Sequence, residues 1–153
     1  MLYFTGANGV APQRGTRIPL GKANILREGS DVTVLSYGRP VADVVAVAEK
    51  MQTEGIKVEV IDLRTIVPLD EHAILTSVAK TKRAVIVHEA VTRFGVGAEI
   101  AATIQSELFG ELAAPVMRVG GPYCPVPYSG PLEQGFLWSQ SKIEAAIRQT
   151  ANY

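Results

Sequence analysis

The run VTVLSY at residues 32–37 is apolar or β-branched at nearly every position. A strand with one wet face alternates apolar and polar side chains, so a run this continuous belongs to a strand covered on both faces. Helices that cross over a sheet provide such cover, and the next segments supply one. Gly38 breaks the run, and Pro40 suits the first turn of a helix, where its missing N–H costs nothing. Val41, Val44, Val45, Ala48 and Met51 recur at helical spacing, and Gly55 stands where a left-handed residue ends a helix.

The alternation continues to the end of the chain. VEVID (58–62) is the next strand, and LDEHAILTSVAKT (69–81) is a helix with Asp70 as N-cap and Ala73, Ile74 and Val78 on one side. RAVIVHE (83–89) is a strand, residues 98–108 are a helix with Ile100, Ala101, Ile104 and Leu108 inward, and VMRVGG (116–121) is a further strand. A proline-rich loop, GPYCPVPYSGPLEQG (121–135), leads to a final helix with Ile143, Ala146 and Ile147 aligned. Strands alternating with helices impose right-handed crossovers, which predicts a three-layer α/β domain with a mostly parallel sheet of about five strands. Upstream, ANILRE (23–28) is a short strand ended by the turn EGSD. That connection is too short for a parallel crossover, so this edge strand is expected to run antiparallel to the rest.

Composition narrows the function. The 153 residues suffice for one domain, and 47% hydrophobic with 20% charged residues is an ordinary globular balance. Lys plus Arg equals Asp plus Glu at 15 each, and the basic residues are scattered, so neither nucleic acid nor an acidic membrane is an expected partner. No apolar run reaches bilayer-spanning length. The one cysteine, Cys124, rules out an internal disulfide, and a reducing cytoplasm is the expected compartment. Residues 1–20 lack any period and read as a linker or entry segment before a domain at 21–153. So long an irregular lead is expected of a chain cut from something longer.

No complete catalytic set can be assembled. FGVGAEI places Gly95 and Gly97 ahead of a helix whose amides can bind an anion, but Ile100 holds the place of a dinucleotide fingerprint's third glycine. Glu99 in the first turn would itself complement the helix dipole, so close helix packing is the favoured use of these glycines and anion binding the rival. His88 and Glu89 close a strand at the sheet's carboxyl edge, where open α/β proteins bind ligands, yet as neighbours they point to opposite faces. A structural role for His88 stands ahead of acid/base work. His72 has no partner at metal spacing, and no zinc set exists. Cys124 has no basic neighbour to activate it and reads as a passive small residue. The proline-rich loop carries Tyr123 and Tyr128, and two uses stay open for it: docking another protein, or rigidly crossing the sheet's end. Phe136 and Trp138 need burial.

Several stretches together resemble one family. IPLGKANILREGSDVTVLSYG, VEVIDLRTIVPLDEHAILTSVAKTKRAVIVHEA, FGVGAEIAATI, APVMRVGG and PVPYSGPLEQGFL are similar to the C-terminal domain of the β subunit of thiamine-diphosphate-dependent 2-oxo acid dehydrogenases (pyruvate, branched-chain 2-oxo acid and acetoin), a domain related to that of transketolase. The resemblance covers nearly everything from Ile18 onward and is most specific from Val58 through Ala90. It implies a transketolase C-terminal fold, a five-stranded mixed sheet between helices. It also implies a whole enzyme of α and β subunits that decarboxylates a 2-oxo acid and passes the acyl group to a lipoyl arm.

In such enzymes thiamine diphosphate and magnesium lie between the α subunit and the N-terminal domain of β, which these residues lack. The resemblance therefore places no catalytic, cofactor or metal residue here, and the isolated chain is expected to be inactive. It implies instead contact with a second β subunit, with the α subunit, and with the subunit-binding domain of the acyltransferase core. The compartment would be the cytoplasm, or the mitochondrial matrix in a eukaryote. Relatives often carry an acidic residue just before the APV segment, near the core-docking surface. Here Ala113 holds that place, with Glu111 two residues earlier as the nearest acidic substitute. Tyr153 lies in the terminal segment that relatives use near the same surface, and Trp138 stands where they usually have proline.

Overall fold

The computed structural model describes residues 13–153. The expected linker at 1–20 lies partly outside them; residues 13–20 are exposed and irregular, with turns but no strand or helix. Five strands follow, β1 (Asn24–Arg27), β2 (Val32–Ser36), β3 (Val58–Asp62), β4 (Ala84–Val91) and β5 (Met117–Gly121), interleaved with helices α1 (Pro40–Thr53), α2 (Glu71–Thr81), α3 (Val96–Glu107), α4 (Gly130–Phe136) and α5 (Gln140–Ala151). The sheet order is β1-β3-β2-β4-β5, with β1 antiparallel to β3 and every other pair parallel.

The direction of β1 is as expected from its short connection, but its neighbour is not the strand that follows it. The chain leaves β1, passes the start of β3, and enters β2 on β3's far side. Gly29 makes this passage possible. A Cβ there would lie 2.2 Å from the Glu59 nitrogen and 2.3 Å from the Val58 carbonyl carbon, so only a glycine lets the two backbones touch. The crossing is tied down by the Ser30 and Asp31 amides, which donate to the Lys57 carbonyl at 3.1 and 3.0 Å, and by Asp31 Oδ2, which accepts from the Lys57 amide at 2.7 Å.

Alternate residues of each strand serve two cores. Val34, Val60, Val85 and Val87 face α1 and α5, packing on Val44, Val47, Met51, Ile143 and Ile147. Leu35, Ile61 and Ile86 face α2 and α3, packing on Ile74, Val78, Ile100 and Ile104. Both faces are thus dry, which is why VTVLS is buried along its whole length. From β2 the chain turns to the α1 face, and from β4 to the α3 face. Their carboxyl ends therefore flank a topological switch point, the usual ligand crevice of an open α/β sheet.

Helix ends follow local chemistry. Asp70 caps α2, with Oδ1 accepting from the Ala73 amide at 3.2 Å and Oδ2 from the Ala23 amide at 3.0 Å, so the cap also anchors the strand entering the sheet. Gly55 is left-handed (φ 83°) just past α1. Ser139 caps α5 through the Lys142 amide.

Three elements differ from expectation. β4 continues past Glu89 to Val91, with an irregular register against β5 after Val87. α3 begins at Val96, two residues earlier than the pattern predicted, because Gly95 serves as its extended N-cap. The segment read as an unbroken proline-rich loop contains α4, whose first turn holds Pro131 at a position that has no amide to satisfy. Phe136 and Trp138 find the burial they require, and Trp138 Nε1 donates to Asp43 Oδ2 at 2.9 Å while the Arg39 guanidinium lies over its ring.

Candidate functional site

At the switch point His88 is wholly buried on the α2–α3 face of β4. Three glycines surround its ring, Gly97 most closely, while the nearest atoms to a Cβ on Gly95 or Gly120 are the Val91 and Ala90 carbonyl oxygens at 2.3 and 2.6 Å. A Cβ on Gly97 would lie 2.2 Å from Nε2, one on Gly120 would lie 3.0 Å from Cε1, and one on Gly95 would lie 3.4 Å from Cε1. Tyr37, just past β2, stacks on the imidazole at 6.4 Å between ring centroids. Burial holds the His88 pKa below its ordinary value, the Ala90 carbonyl opposes that, and the Arg118 charge adds to it. Glu89, the next residue, is exposed, so the expected opposition of the two side chains holds.

This geometry bears on the glycine loop. The space that Gly97 opens at the start of α3 is filled by the protein's own imidazole and that at Gly95 by the Val91 carbonyl, and Glu99 occupies the first turn. The described residues therefore do not fit the diphosphate of a thiamine cofactor there. Nor, among the described residues, do three or more His, Cys, Asp or Glu side chains converge where a metal such as magnesium would sit.

The five residues singled out for partner contact fall on two separate surfaces. Ala113 and Tyr153 come together at the amino end of the sheet, lining a groove of about 430 Å³ with Gln105, Phe109, Leu112 and Pro115. Glu111 is exposed in the turn between Gly110 and Leu112, both of which line that groove. Phe109 is 81% exposed at the groove, a residue the helical pattern gave no reason to single out. Tyr123 and Tyr128 lie at the carboxyl end instead, Tyr128 fully exposed, alongside exposed Val126 and Leu132. Phe94, 88% exposed and held left-handed at φ 57°, meets Tyr123 edge-on at 5.8 Å, and the Arg93 guanidinium lies over the same tyrosine ring. A bulky residue rarely takes a left-handed backbone, and here it projects an aromatic ring into solvent. Cys124 is exposed in this surface, and no hydrogen-bonded base accompanies it among the described residues.

A further polar site was not legible as such. Glu59 in β3 is buried, hydrogen-bonded to Ser77 Oγ and Lys80 Nζ and accepting from the Gly29 amide at 3.2 Å. Thr33 Oγ1 extends the network to Ser77 Oγ at 2.7 Å and Thr81 Oγ1 at 2.8 Å. Burial pushes the Glu59 carboxyl up, but the bonds from Lys80, Ser77 and Gly29 outweigh it and hold the pKa below the ordinary value. The sequence signal is a Glu between two valines in the interior of β3, whose other polar residue, Asp62, ends the strand.

A doubly covered, mostly parallel sheet with one antiparallel edge strand is the architecture of the transketolase C-terminal class. The chain belongs to that family: residues 21–143 match Transketolase, C-terminal domain. It is 40% identical over 145 residues to the Acetoin:2,6-dichlorophenolindophenol oxidoreductase subunit beta of Cupriavidus necator, covering 95% of this chain and 43% of that one. It is 37% identical over 146 residues to the 2-oxoisovalerate dehydrogenase subunit beta of Bacillus subtilis, covering 95% and 45%. The chain thus spans less than half the length of these relatives. Among solved structures, an inactive beta4 tetramer of a split-gene transketolase superposes with a TM-score of 0.80 at 24% identity, over 97% of this chain and 47% of that one, and establishes the fold alone.

Proposed function

We propose that the chain is the C-terminal assembly domain of the β subunit of a 2-oxo acid dehydrogenase that uses thiamine diphosphate, a protein of the cytoplasm or mitochondrial matrix. The observation that carries this reading is a division of labour within the fold. The position where a nucleotide fold holds phosphate is filled by His88, while the exposed aromatic residues gather at the two ends of the sheet. The similarity to the β subunits of acetoin- and 2-oxoisovalerate-oxidising enzymes supports the same assignment.

On this reading thiamine diphosphate and magnesium are held by the rest of the enzyme. The carboxyl-end surface of Phe94, Tyr123 and Tyr128 meets the other subunits, a second β and the α. The amino-end groove of Phe109, Ala113 and Tyr153, with Glu111 on its rim, receives the subunit-binding domain of the acyltransferase core. Because Ala113 carries no charge, the groove offers apolar contact, with Glu111 the nearby acidic group for a basic residue.

Two measurements test this. The purified chain with a 2-oxo acid, thiamine diphosphate, magnesium and an artificial electron acceptor is expected to show no turnover; turnover would refute the assignment. Titration with a subunit-binding domain is expected to show binding that Tyr153→Ala and Phe109→Ser weaken at least tenfold and Tyr128→Ser leaves unchanged. Equal sensitivity to all three would remove the groove assignment.

A further inference from the structure

His88 is wholly buried at the carboxyl end, and filling the crevice does not by itself require an ionisable side chain. Among the described residues neither ring nitrogen completes a hydrogen bond, although the Ala90 carbonyl lies close enough to favour the protonated ring. Leaving a buried donor unpaired is costly, and a neighbouring apolar residue would fill the space without that penalty. Two elements nevertheless carry glycine where they press on this one ring, α3 in its first turn at Gly97 and β5 at Gly120, and Gly95 at the α3 N-cap touches it at ordinary contact distance. The packing is so close that any larger residue at Gly97 would overlap Nε2.

The surroundings favour an uncharged ring. The first turn of α3 presents the positive end of the helix dipole. From β5, Arg118 adds a positive charge and donates to the Thr92 carbonyl, holding the loop that follows β4. Tyr37 faces the ring from the β2 side, and its phenol is kept protonated to higher pH by burial and then by Glu89. The other charged groups of the elements around the ring are Glu89 on β4, Arg93 in the following loop, Glu99 in the first turn of α3 and Glu107 at its far end, and none of these carboxylates bonds to it. An imidazolium here would bring a second N–H donor and a full charge into a dry box in which the Ala90 carbonyl is the acceptor that favours the proton, and that carbonyl does not outweigh burial.

We propose that His88 is a proton-operated latch: its neutral ring clamps the first turn of α3 and the loop of residues 92–95 against β4 and β5, and protonation releases them together with the surface formed by Phe94 and Tyr123. The sign follows from linkage. Because burial lowers the folded-state pKa of His88, the open state binds the proton more tightly, so the closed state is favoured above the ordinary imidazole value. The closed state loses ground as pH falls from about 6.5 toward the depressed folded value, and the opening constant gains up to about tenfold per pH unit over that interval.

The test uses the whole chain, whose other histidine, His72, is exposed and is replaced by Gln in all samples to leave one imidazole. Hydrogen exchange at the amides of residues 95–99, corrected for intrinsic pH dependence, is expected to accelerate as pH falls from 7.5 to 5.5. His88→Gln, which cannot titrate, is expected to show a flat profile over the same range. In parallel, ¹⁵N shifts of the His88 ring are expected to stay those of a neutral imidazole in the closed state. A ring that protonates at its ordinary value while residues 95–99 stay protected would overturn the latch, and so would a His88→Gln profile that follows the parent's. Should His88→Gln fail to fold, the ring shifts and exchange of the parent still decide between these outcomes.

Discussion

Gly29→Ala probes the least obvious feature of the fold, the passage of the chain from β1 across the start of β3 into β2. The added Cβ would sit 2.2 Å from the Glu59 nitrogen, 2.3 Å from the Val58 carbonyl carbon and 2.7 Å from the Lys57 oxygen. All three are backbone atoms of β3 or its approach, so no rotamer change relieves the contact and the strands must separate. Overpacking of this kind costs about 1–3 kcal/mol. Separation also draws the Gly29 amide away from Glu59 Oε2, and a hydrogen bond to a charged group contributes about 1.5–3 kcal/mol. The combined expectation is about 3–5 kcal/mol of destabilisation, or roughly 6–20 °C in Tm for a domain of this size. Urea unfolding followed by the fluorescence of Trp138, the single tryptophan and a buried one, measures it directly. Gly135→Ala is the matched control. No atom lies within 4 Å of its added Cβ, and in α4 it should be neutral or stabilise by up to about 1 kcal/mol. A Gly29→Ala protein within about 0.5 kcal/mol of the parent, the range of an ordinary surface change, would mean that the chain does not cross β3 at this point.

Three further outcomes follow from the same contacts. Asp70→Ala removes the α2 cap and the tie to Ala23, with an expected loss of about 1–2 kcal/mol at neutral pH. The Ala23 amide foremost, against burial, lowers the Asp70 pKa, so its contribution is present above the unfolded carboxylate value of about 3.9 and lost as pH falls through the folded value. Stability curves of parent and variant should therefore converge below pH 4; parallel curves would rule out the anionic cap. Glu59→Ala strips Ser77, Lys80 and the Gly29 amide of their acceptor, and about 3 kcal/mol is expected, the low end for breaking a buried pair because Lys80 is half exposed. Glu59→Gln, keeping the shape, should recover part of that in a denaturant titration, and no recovery would point to the charge alone. Trp138→Phe keeps most of the buried ring but loses the bond to Asp43, for an expected cost of about 1 kcal/mol by calorimetry.

Much of the architecture was legible because the signals were local. Both-face burial of residues 32–36 follows from the apolar run itself, and Pro40, Asp70 and Gly55 mark helix ends by their backbone chemistry. α4 escaped because four prolines dominate residues 121–135, although Pro131 fits a first helical turn as well as it fits a loop. At the candidate site the pattern marks Gly95 and Gly97 as packing residues, but it does not say that Gly97 packs on the His88 ring of the preceding strand and Gly95 on the Val91 carbonyl. The partner-facing residues were named from one linear stretch to the next, and only in three dimensions do Ala113 and Tyr153 share a groove while Tyr123 and Tyr128 stand at the opposite end.

The order and type of the elements, α4 apart, and their mostly parallel pairing were already determined by the residue pattern, because hydrophobic period and turn chemistry act over a few neighbours. Which strand lies beside β1, which face each buried polar group enters, and that the imidazole of His88 closes its own sheet's crevice were decided only by the tertiary structure. Those outcomes depend on contacts between different elements, where a missing Cβ on one, such as Gly97 of α3 or Gly29 before β2, fits a side chain or the backbone of another.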